Sequence, residues 1–262
     1  MMKIRFLGSG TSTGNPEILC KCEVCTSTDK RDRRLRASVL LEIDGVNILI
    51  DCGPDFRWQI LQTNITRIDG VLITHEHYDH VGGLDDLRPF CKQQEFPLAL
   101  YAEKYVTEAI HQRIPYVFRE NKYPGIPNLE LKAVPENKPF HVEGIEIIPI
   151  RLLHGRLPIF GYRIGNVAYL TDLKYIPEEE FDKLKDLDIL IMSALRPQEH
   201  VSHQTIESAF SYIERIKPKQ TYLIHMNHHF GLHAVMEKQM PENVTIAYDG
   251  LELYLCENEK AR

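Results

Sequence analysis

Three histidines and an aspartate crowd into residues 75–80 of this chain, in the order His-x-His-x-Asp-His. They directly follow an apolar run at residues 70–73, which is typical of a buried strand. Neighbouring residues of a strand point to opposite faces, so these side chains can converge only on a loop. Imidazole and carboxylate groups together suit divalent first-row metals such as zinc, manganese or iron. The motif therefore predicts a metal site just beyond a strand, made of His75, His77, Asp79 and His80.

Three more ionisable residues follow apolar runs elsewhere in the chain. His154 follows residues 150–153, Asp172 follows an apolar run that ends at Leu170, and His225 follows residues 221–224. Taken singly, each is readily explained as a hydrogen-bonded rim residue, but loops at strand ends commonly carry chemistry. Together with the motif they make five histidines and two aspartates. That set fits two metals which each take three or four protein ligands and share a carboxylate.

A second metal signal lies near the N-terminus, where Cys20, Cys22 and Cys25 are spaced as C-x-C-x-x-C. Three thiolates on one loop need one more ligand to complete a closed tetrahedral zinc site. His228 is the preferred fourth ligand, with His229 as the alternative. Free cysteines or a redox dithiol are the competing interpretation, but such close thiols are a liability unless a metal holds them. We therefore expect a zinc-binding loop at about residues 18–27.

Composition narrows the class of protein. The 262 residues are 43% hydrophobic and show no linker, which favours one domain over residues 1–262. A formal net charge of −6 argues against broad nucleic-acid binding. The basic segment at residues 30–36 could hold one anion, although a solvated loop is the preferred interpretation. No signal peptide or membrane span is evident, so we expect a cytoplasmic protein. Disulfides are then not expected, and Cys52, Cys91 and Cys256 are predicted to be core residues.

Short strands and helices alternate along the chain and must position these residues. Asp44-Gly45 and Gly165-Asn166 each join two apolar runs and predict tight hairpins. Strands are predicted at residues 38–43, 46–50, 129–134, 145–150, 162–164, 167–170, 189–193, 221–224 and 251–255. Helices are predicted at residues 103–113, 176–185, 203–216 and 232–238. The mixture indicates an α/β class with mixed sheets.

The ordered ligand set resembles that of the metallo-β-lactamase superfamily of metallohydrolases, and the resemblance covers nearly the whole chain. It implies a four-layer αββα sandwich with the metals at one edge of the two sheets. It also implies a division of the ligands, with His75, His77 and His154 on one metal, Asp79, His80 and His225 on the other, and Asp172 bridging. Asp51 matches the early aspartate that supports the ligands in that superfamily. The implied cofactors are two zinc or manganese ions, beside one structural zinc.

The cysteine spacing narrows the resemblance. Three motifs together resemble those of one group of enzymes: the glycine-rich opening at residues 8–16, the cysteine spacing and the late His-x-x-His. That group is the phosphodiesterases of the carbon–phosphorus lyase pathway, which open phosphoribosyl cyclic phosphates. That resemblance implies attack of a metal-bridging hydroxide on phosphorus. It also implies two catalytic residues, Asp79 and His203. His203 is expected at a helix start, where it could protonate the leaving alkoxide or hold a phosphate oxygen.

Two other functions share much of this pattern. Transfer-RNA 3′-processing endonucleases have the same ligands but carry a long basic arm, and no such insertion is evident here. A non-catalytic binding protein of quinone-cofactor biosynthesis shares the zinc loop but has degenerate catalytic motifs, whereas these motifs are complete. The expected partner is therefore a small phosphodiester, without nucleic acid or membrane. Related proteins are often homodimers, so a homodimer is a possible assembly.

Overall fold

The computed structural model describes residues 1–93, 96–120 and 123–255. Cys256, predicted to be a core residue, lies outside them. The strands of the first half are β1 (Met2–Gly8), β2 (Ser38–Ile43), β3 (Val46–Ile50), β4 (Gly70–Leu72), β5 (Leu98–Ala102), β6 (Leu129–Ala133) and β7 (Phe140–Val142). Those of the second half are β8 (Ile145–His154), β9 (Leu157–Ile164), β10 (Val167–Leu170), β11 (Ile189–Ser193), β12 (Gln220–Ile224), β13 (Val244–Ile246) and β14 (Glu252–Leu255).

These strands form two seven-stranded sheets, in the orders β14-β1-β2-β3-β4-β5-β6 and β13-β12-β11-β10-β9-β8-β7. Both sheets are mixed: β3, β4, β5 and β6 run parallel, as do β10, β11, β12 and β13. The antiparallel pairs include the two hairpins predicted from Asp44-Gly45 and Gly165-Asn166, and β1 pairs antiparallel with both β2 and β14. Parallel neighbours end at the same edge, which brings the ends of distant sequence segments together.

Helices cover the outer faces of the sheets. They are α1 (Phe56–Leu61), α2 (Tyr78–Val81), α3 (Arg88–Cys91), α4 (Lys104–Arg113), α5 (Ile206–Ile216) and α6 (His233–Met236). Short 3₁₀ turns occupy Lys30–Asp32, Leu84–Leu87, Pro115–Phe118, Glu178–Leu184, His228–Phe230 and Glu237–Gln239.

Three apolar clusters separate these layers. One lies between the two sheets, where side chains such as Phe6 and Phe160 meet. The second lies outside the first sheet and includes Val106 and Ile110 of α4. The third lies outside the second sheet and includes Ile213 of α5. The predicted four-layer αββα sandwich is therefore confirmed. Cys52 and Cys91 are buried in the second cluster, as expected.

The largest departures from the predicted elements occur in helices. The helix predicted at residues 176–185 is a 3₁₀ turn, Glu178–Leu184. The helix predicted from His203 begins only at Ile206, because the Thr205 side chain caps it by accepting from the Ser208 backbone N–H. His203 therefore precedes the helix. The helix predicted at residues 232–238 is one α-helical turn followed by a 3₁₀ turn.

Glycine allows the segment after β3 to lie against the metal-binding motif. A Cβ atom on Gly53 would stand 2.0 Å from the Asp79 carbonyl oxygen, and one on Gly83 would stand 2.1 Å from the Gly53 carbonyl oxygen. Both obstructing atoms belong to the backbone, so no side chain can rotate away to make room. The motif and the segment after β3 therefore fix each other's position.

We predict that Gly53→Ala lowers the free energy of unfolding by about 3 kcal/mol, because the backbone around Asp79 must move. Gly45→Ala is the matched control. Its Cβ meets nothing within 4 Å, so it adds only the strain of a positive φ, about 1 kcal/mol. Urea unfolding of both variants measures the difference. Equal stability of the two variants would contradict the close-packing argument.

Candidate metal centre

The seven predicted metal ligands meet at the edge where β4, β8, β10 and β12 end. His75, His77 and His154 form one group, whose ligand atoms all lie within 4.8 Å of one another. The Nε2 atom of His75 is 3.0 Å from the Nδ1 atom of His77. His75 and His154 are buried, whereas His77 is exposed. The first group thus opens to solvent on the side of His77.

The second group consists of four buried residues, Asp79, His80, Asp172 and His225. His80 Nε2 lies 3.1 Å from a carboxylate oxygen of Asp79 and 3.2 Å from one of Asp172. His225 Nε2 lies 3.2 Å from the other Asp172 oxygen. Asp172 also groups with His154 and His203, so its carboxylate lies between the two sets of ligands.

Three residues of this centre have a left-handed backbone within two residues of the end of a strand. They are Asp51 after β3 (φ 60°), Asp172 shortly after β10 (φ 54°) and His225 after β12 (φ 58°). This conformation costs an L-residue roughly 1–2 kcal/mol, so it persists only where the surroundings enforce it. It turns each side chain out of the sheet and towards the shared edge.

Hydrogen bonds to the outer ring nitrogens orient the histidines. The His80 Nδ1–H donates to Asp51 at 2.7 Å, and the Thr74 backbone N–H donates to the same carboxylate at 2.9 Å. His154 donates from Nδ1 to the Ser202 carbonyl oxygen at 2.9 Å. Such partners fix the tautomer that leaves Nε2 free to bind a metal. Asp51 was predicted in this role, but no signal in the sequence pointed to Thr74 or Ser202.

The charges of the centre call for a cation. Asp51, Asp79 and Asp172 are buried, and within the described ranges their ion-pair partners are histidines and no lysine or arginine. Burial opposes ionisation of Asp79 and Asp172, yet the nearby His80 and His225 hold the pKa of both carboxyls well below the usual range. Buried carboxylates with neighbouring imidazoles are a donor set for divalent metals. The residues present therefore fit the predicted metal pair.

His203 reaches this centre from the segment before α5. Its Nδ1 atom is 3.7 Å from an Asp172 oxygen, and its ring lies 4.5 Å from that of His154 and 5.2 Å from that of His225, centre to centre. Burial lowers the pKa of His203 to about 3, although Asp172 opposes the shift. The free imidazole is therefore neutral near pH 7, and a bound anionic phosphate would favour its protonation.

The cysteine loop meets His228 as predicted. The His228 Nδ1 atom is 3.1 Å from the Cys20 sulfur and 3.5 Å from the sulfurs of Cys22 and Cys25. The other ring nitrogen lies 3.3 Å from a Glu17 oxygen, an arrangement that orients metal-binding histidines in proteins. The group of donors that could hold an ion contains His228 and not the alternative, His229. Three thiols and one imidazole fit a closed tetrahedral zinc site.

One short loop connects the two centres. His225 and His228 both follow β12, and Met226 between them bonds to the N-terminal segment. Its N–H donates to the Ser9 carbonyl at 3.2 Å, and its carbonyl accepts from the Thr11 N–H at 3.1 Å. The chain that carries His225 is therefore held by residues 9–11 at Met226 and by the cysteine loop at His228.

The basic segment at residues 30–36 is not the solvated loop predicted from the sequence. Arg34 is buried and donates to Ser9, to the Ala247 carbonyl and to His233. Arg31 pairs with Asp29, and Arg36 pairs with Asp55. Most of the positive charge of this basic segment is therefore taken up by contacts that stabilise the fold around the cysteine loop.

Comparisons with known proteins agree with this geometry. The sequence profile described as "Beta-lactamase superfamily domain" matches residues 46–226. The chain is 50% identical over 258 residues to an octanoyltransferase of Porphyromonas gingivalis, covering 98% of this chain and 52% of that protein. It is 34% identical over 166 residues to a ribonuclease Z of Bacillus thuringiensis, covering 58% of this chain and 52% of that protein. The chain thus spans about half the length of the curated relatives it matches.

A solved structure is similar over almost the whole chain. It is described as a new diphosphatase from the PhnP family, with a TM-score of 0.90 and 38% sequence identity. The match covers 96% of each chain.

None of the helices in the described ranges combines the length and the hydrophobicity that a membrane span requires.

We predict that Cys22→Ser loses the tightly held zinc and lowers the melting temperature, because structural zinc contributes directly to folding free energy. Glu23→Ser, at an exposed neighbouring position, is the control. It should keep the zinc and the melting temperature of the parent. Metal analysis after mild chelation and thermal unfolding test this. Full zinc content in the Cys22→Ser variant would rule out the thiolate site.

Proposed function

Because this chain belongs to the beta-lactamase superfamily, we propose that it is a metal-dependent phosphodiesterase which acts on small phosphodiesters, cyclic phosphates in particular. The observation that carries the proposal is the position of Asp172, whose carboxylate lies between a three-histidine group and an Asp-His-His group. A shared carboxylate lets two cations lie close together, as the two-metal mechanism of hydrolysis at phosphorus requires.

The chain would hold the two ions with distinct ligands. His75, His77 and His154 would take one ion, while Asp79, His80 and His225 would take the other, with Asp172 shared. When bound, such a pair supplies a nucleophile from water near neutral pH and neutralises charge on the phosphoryl oxygens. Zinc and manganese both suit these nitrogen and oxygen donors.

The remaining chemistry falls to residues outside the ligand set. His203 lies against Asp172, His154 and His225, and this supports a position beside the reacting phosphoryl group. Protonated once the anion is bound, it would donate its proton to the leaving alkoxide. Asp79, the other residue assigned to catalysis, belongs instead to the ligand set and would act as an ion ligand beside His225, whose Nε2 lies 3.4 Å from its carboxylate.

Hydrolysis of a diphosphate is a second candidate, because the solved structure similar over 96% of the chain is a diphosphatase. The same centre serves both reactions, since each displaces an oxygen leaving group from phosphorus. The leaving groups differ: a phosphate leaves more readily than a ribose alkoxide and needs less help from a proton donor.

Ribonuclease activity finds less support. The described chain between His154 and Asp172 is taken up by the short hairpin strands β9 and β10 and bears no basic arm. The net charge of −6 also disfavours a polyanionic substrate. A non-catalytic binding role is disfavoured too, because all seven ligand side chains converge.

Octanoyl transfer is not proposed for this chain. The chain spans 52% of the octanoyltransferase it matches, so the name of that protein does not assign acyl transfer to this chain. Of the cysteines that the structure describes, three surround His228 and the other two are buried in the core. None of these five is therefore placed as an acyl-accepting nucleophile.

A substrate panel tests the assignment on metal-loaded protein. The panel comprises phosphoribosyl 1,2-cyclic phosphate, bis-p-nitrophenyl phosphate, a nucleoside diphosphate, a precursor transfer RNA and an octanoyl thioester. We expect hydrolysis of the cyclic phosphate and of bis-p-nitrophenyl phosphate. Preferential cleavage of the diphosphate would select the second candidate. Activity confined to the RNA or the thioester would overturn the proposal.

Removing the shared carboxylate should abolish most activity. We predict that Asp172→Ala lowers phosphodiester hydrolysis about 10³-fold or more, since the lost charge stabilisation is worth several kcal/mol. Asp182→Ala, at an exposed position in a 3₁₀ turn, should match the parent. Turnover and metal content at equal folded concentration measure both. Parent-like turnover in Asp172→Ala would contradict the shared-ligand role.

The proton-donor role of His203 predicts an effect that depends on the leaving group. His203→Ala should slow hydrolysis of a cyclic ribose phosphate by about 10²-fold more than that of bis-p-nitrophenyl phosphate, since p-nitrophenolate needs little protonation. Metal content should not change. Equal losses on the two substrates would instead assign His203 to holding a phosphate oxygen.

A further inference from the structure

A cleft of about 500 Å³ lies on the outer side of the first sheet, apart from both metal centres. Its walls are β1, residues 33–35, α1 and the turn that leads into β14. None of the proposed metal ligands lines it. Its volume falls within the roughly 300–1,000 Å³ typical of small-molecule sites.

The cleft contains an exposed aromatic side chain. Trp58 of α1, the single tryptophan of the chain, lines it with 58% of its surface exposed. Leu7, Pro16 and Leu35 add apolar surface beside it. An indole in an open cleft offers a flat face on which another ring can stack.

One arginine that lines the cleft has no acidic partner among the described residues. Arg31, Arg34 and Arg36 of the basic segment are engaged in ion pairs or buried hydrogen bonds. Arg33, by contrast, lines the cleft, is exposed, and has no carboxylate within ion-pair distance in the part of the chain that the structure describes. A free guanidinium binds phosphate or carboxylate through paired N–H groups.

Two buried amide oxygens at the cleft also lack partners. Asn15 and Gln59 are 6% and 2% exposed, and Oδ1 of the first and Oε1 of the second accept no hydrogen bond within the described residues. The Gln59 Nε2 atom donates to the Arg36 carbonyl at 2.8 Å, which fixes the orientation of the amide. Both residues line the cleft, and a buried acceptor without a donor is costly to the free protein.

We propose that this cleft is a binding site for a small aromatic anion of the nucleoside monophosphate class. Its ring would stack on Trp58 and its phosphate would pair with Arg33. This site is independent of the phosphodiesterase centre, because no residue is shared between them.

Trp58 makes the test local, since its fluorescence and its indole N–H resonance arise from this cleft alone. The probe is adenosine 5′-monophosphate, compared with adenosine and with inorganic phosphate. We expect a saturable change in both signals with the monophosphate, and weaker binding of either fragment. No saturable change into the millimolar range would overturn the proposal. Equal responses to inorganic phosphate and to the monophosphate would overturn the stacking role of Trp58.

Two arginine variants provide the matched comparison. Arg33→Ala should raise the dissociation constant of the monophosphate about tenfold, as loss of a charge-assisted hydrogen bond implies. Arg57→Ala removes a neighbouring exposed guanidinium that does not line the cleft, and should bind as the parent does. Unchanged affinity in Arg33→Ala would refute the site. Bis-p-nitrophenyl phosphate hydrolysis should be the same in both variants, which separates this test from that of the metal centre.

Discussion

The cost of burying three carboxylates governs the architecture of the metal centre. Asp51, Asp79 and Asp172 lie out of solvent, and a buried carboxylate without a counter-charge is strongly unfavourable. In the described chain their ionic partners are histidines, and no lysine or arginine pairs with them. The stable solution is to share divalent cations among carboxylates and imidazoles. The strand ends, the strained backbone and the close-packed glycines all keep those groups within reach of one another.

The centre is held rigid by parts of the chain that carry no ligand to it. Asp51 and Ser202 fix the rings of His80 and His154 through the nitrogens that face away from the centre. On the other side, the loop after β12 is clamped between the N-terminal segment and the cysteine site. A zinc ion bound by the cysteine site would therefore also hold the segment that carries His225.

The superfamily arrangement accounts for the reaction type better than for the substrate. In the proposed function the ligands would support hydrolysis at phosphorus, while the leaving group would be distinguished by a residue beyond them, His203 in the segment before α5. The curated relatives are about twice as long as the region they share with this chain, and they carry different names. The ligand set alone thus cannot decide between a phosphodiester and a diphosphate, whereas the leaving-group dependence of His203 variants can.

Local sequence patterns predicted the fold class, the strands β2, β3, β10 and β11, the seven ligands of the metal centre and the four donors of the cysteine site. The sequence could do so because ligand spacing and apolar alternation are local properties. It did not locate the start of α5, since Thr205 competes with His203 to cap the helix and only its contact with Ser208 settles that. It also gave no sign that Thr74 and Ser202 orient the ligands, or that Arg34 is buried while Arg33 has no acidic partner among the described residues. Those facts depend on which distant segments pack together, and only the tertiary structure decides that.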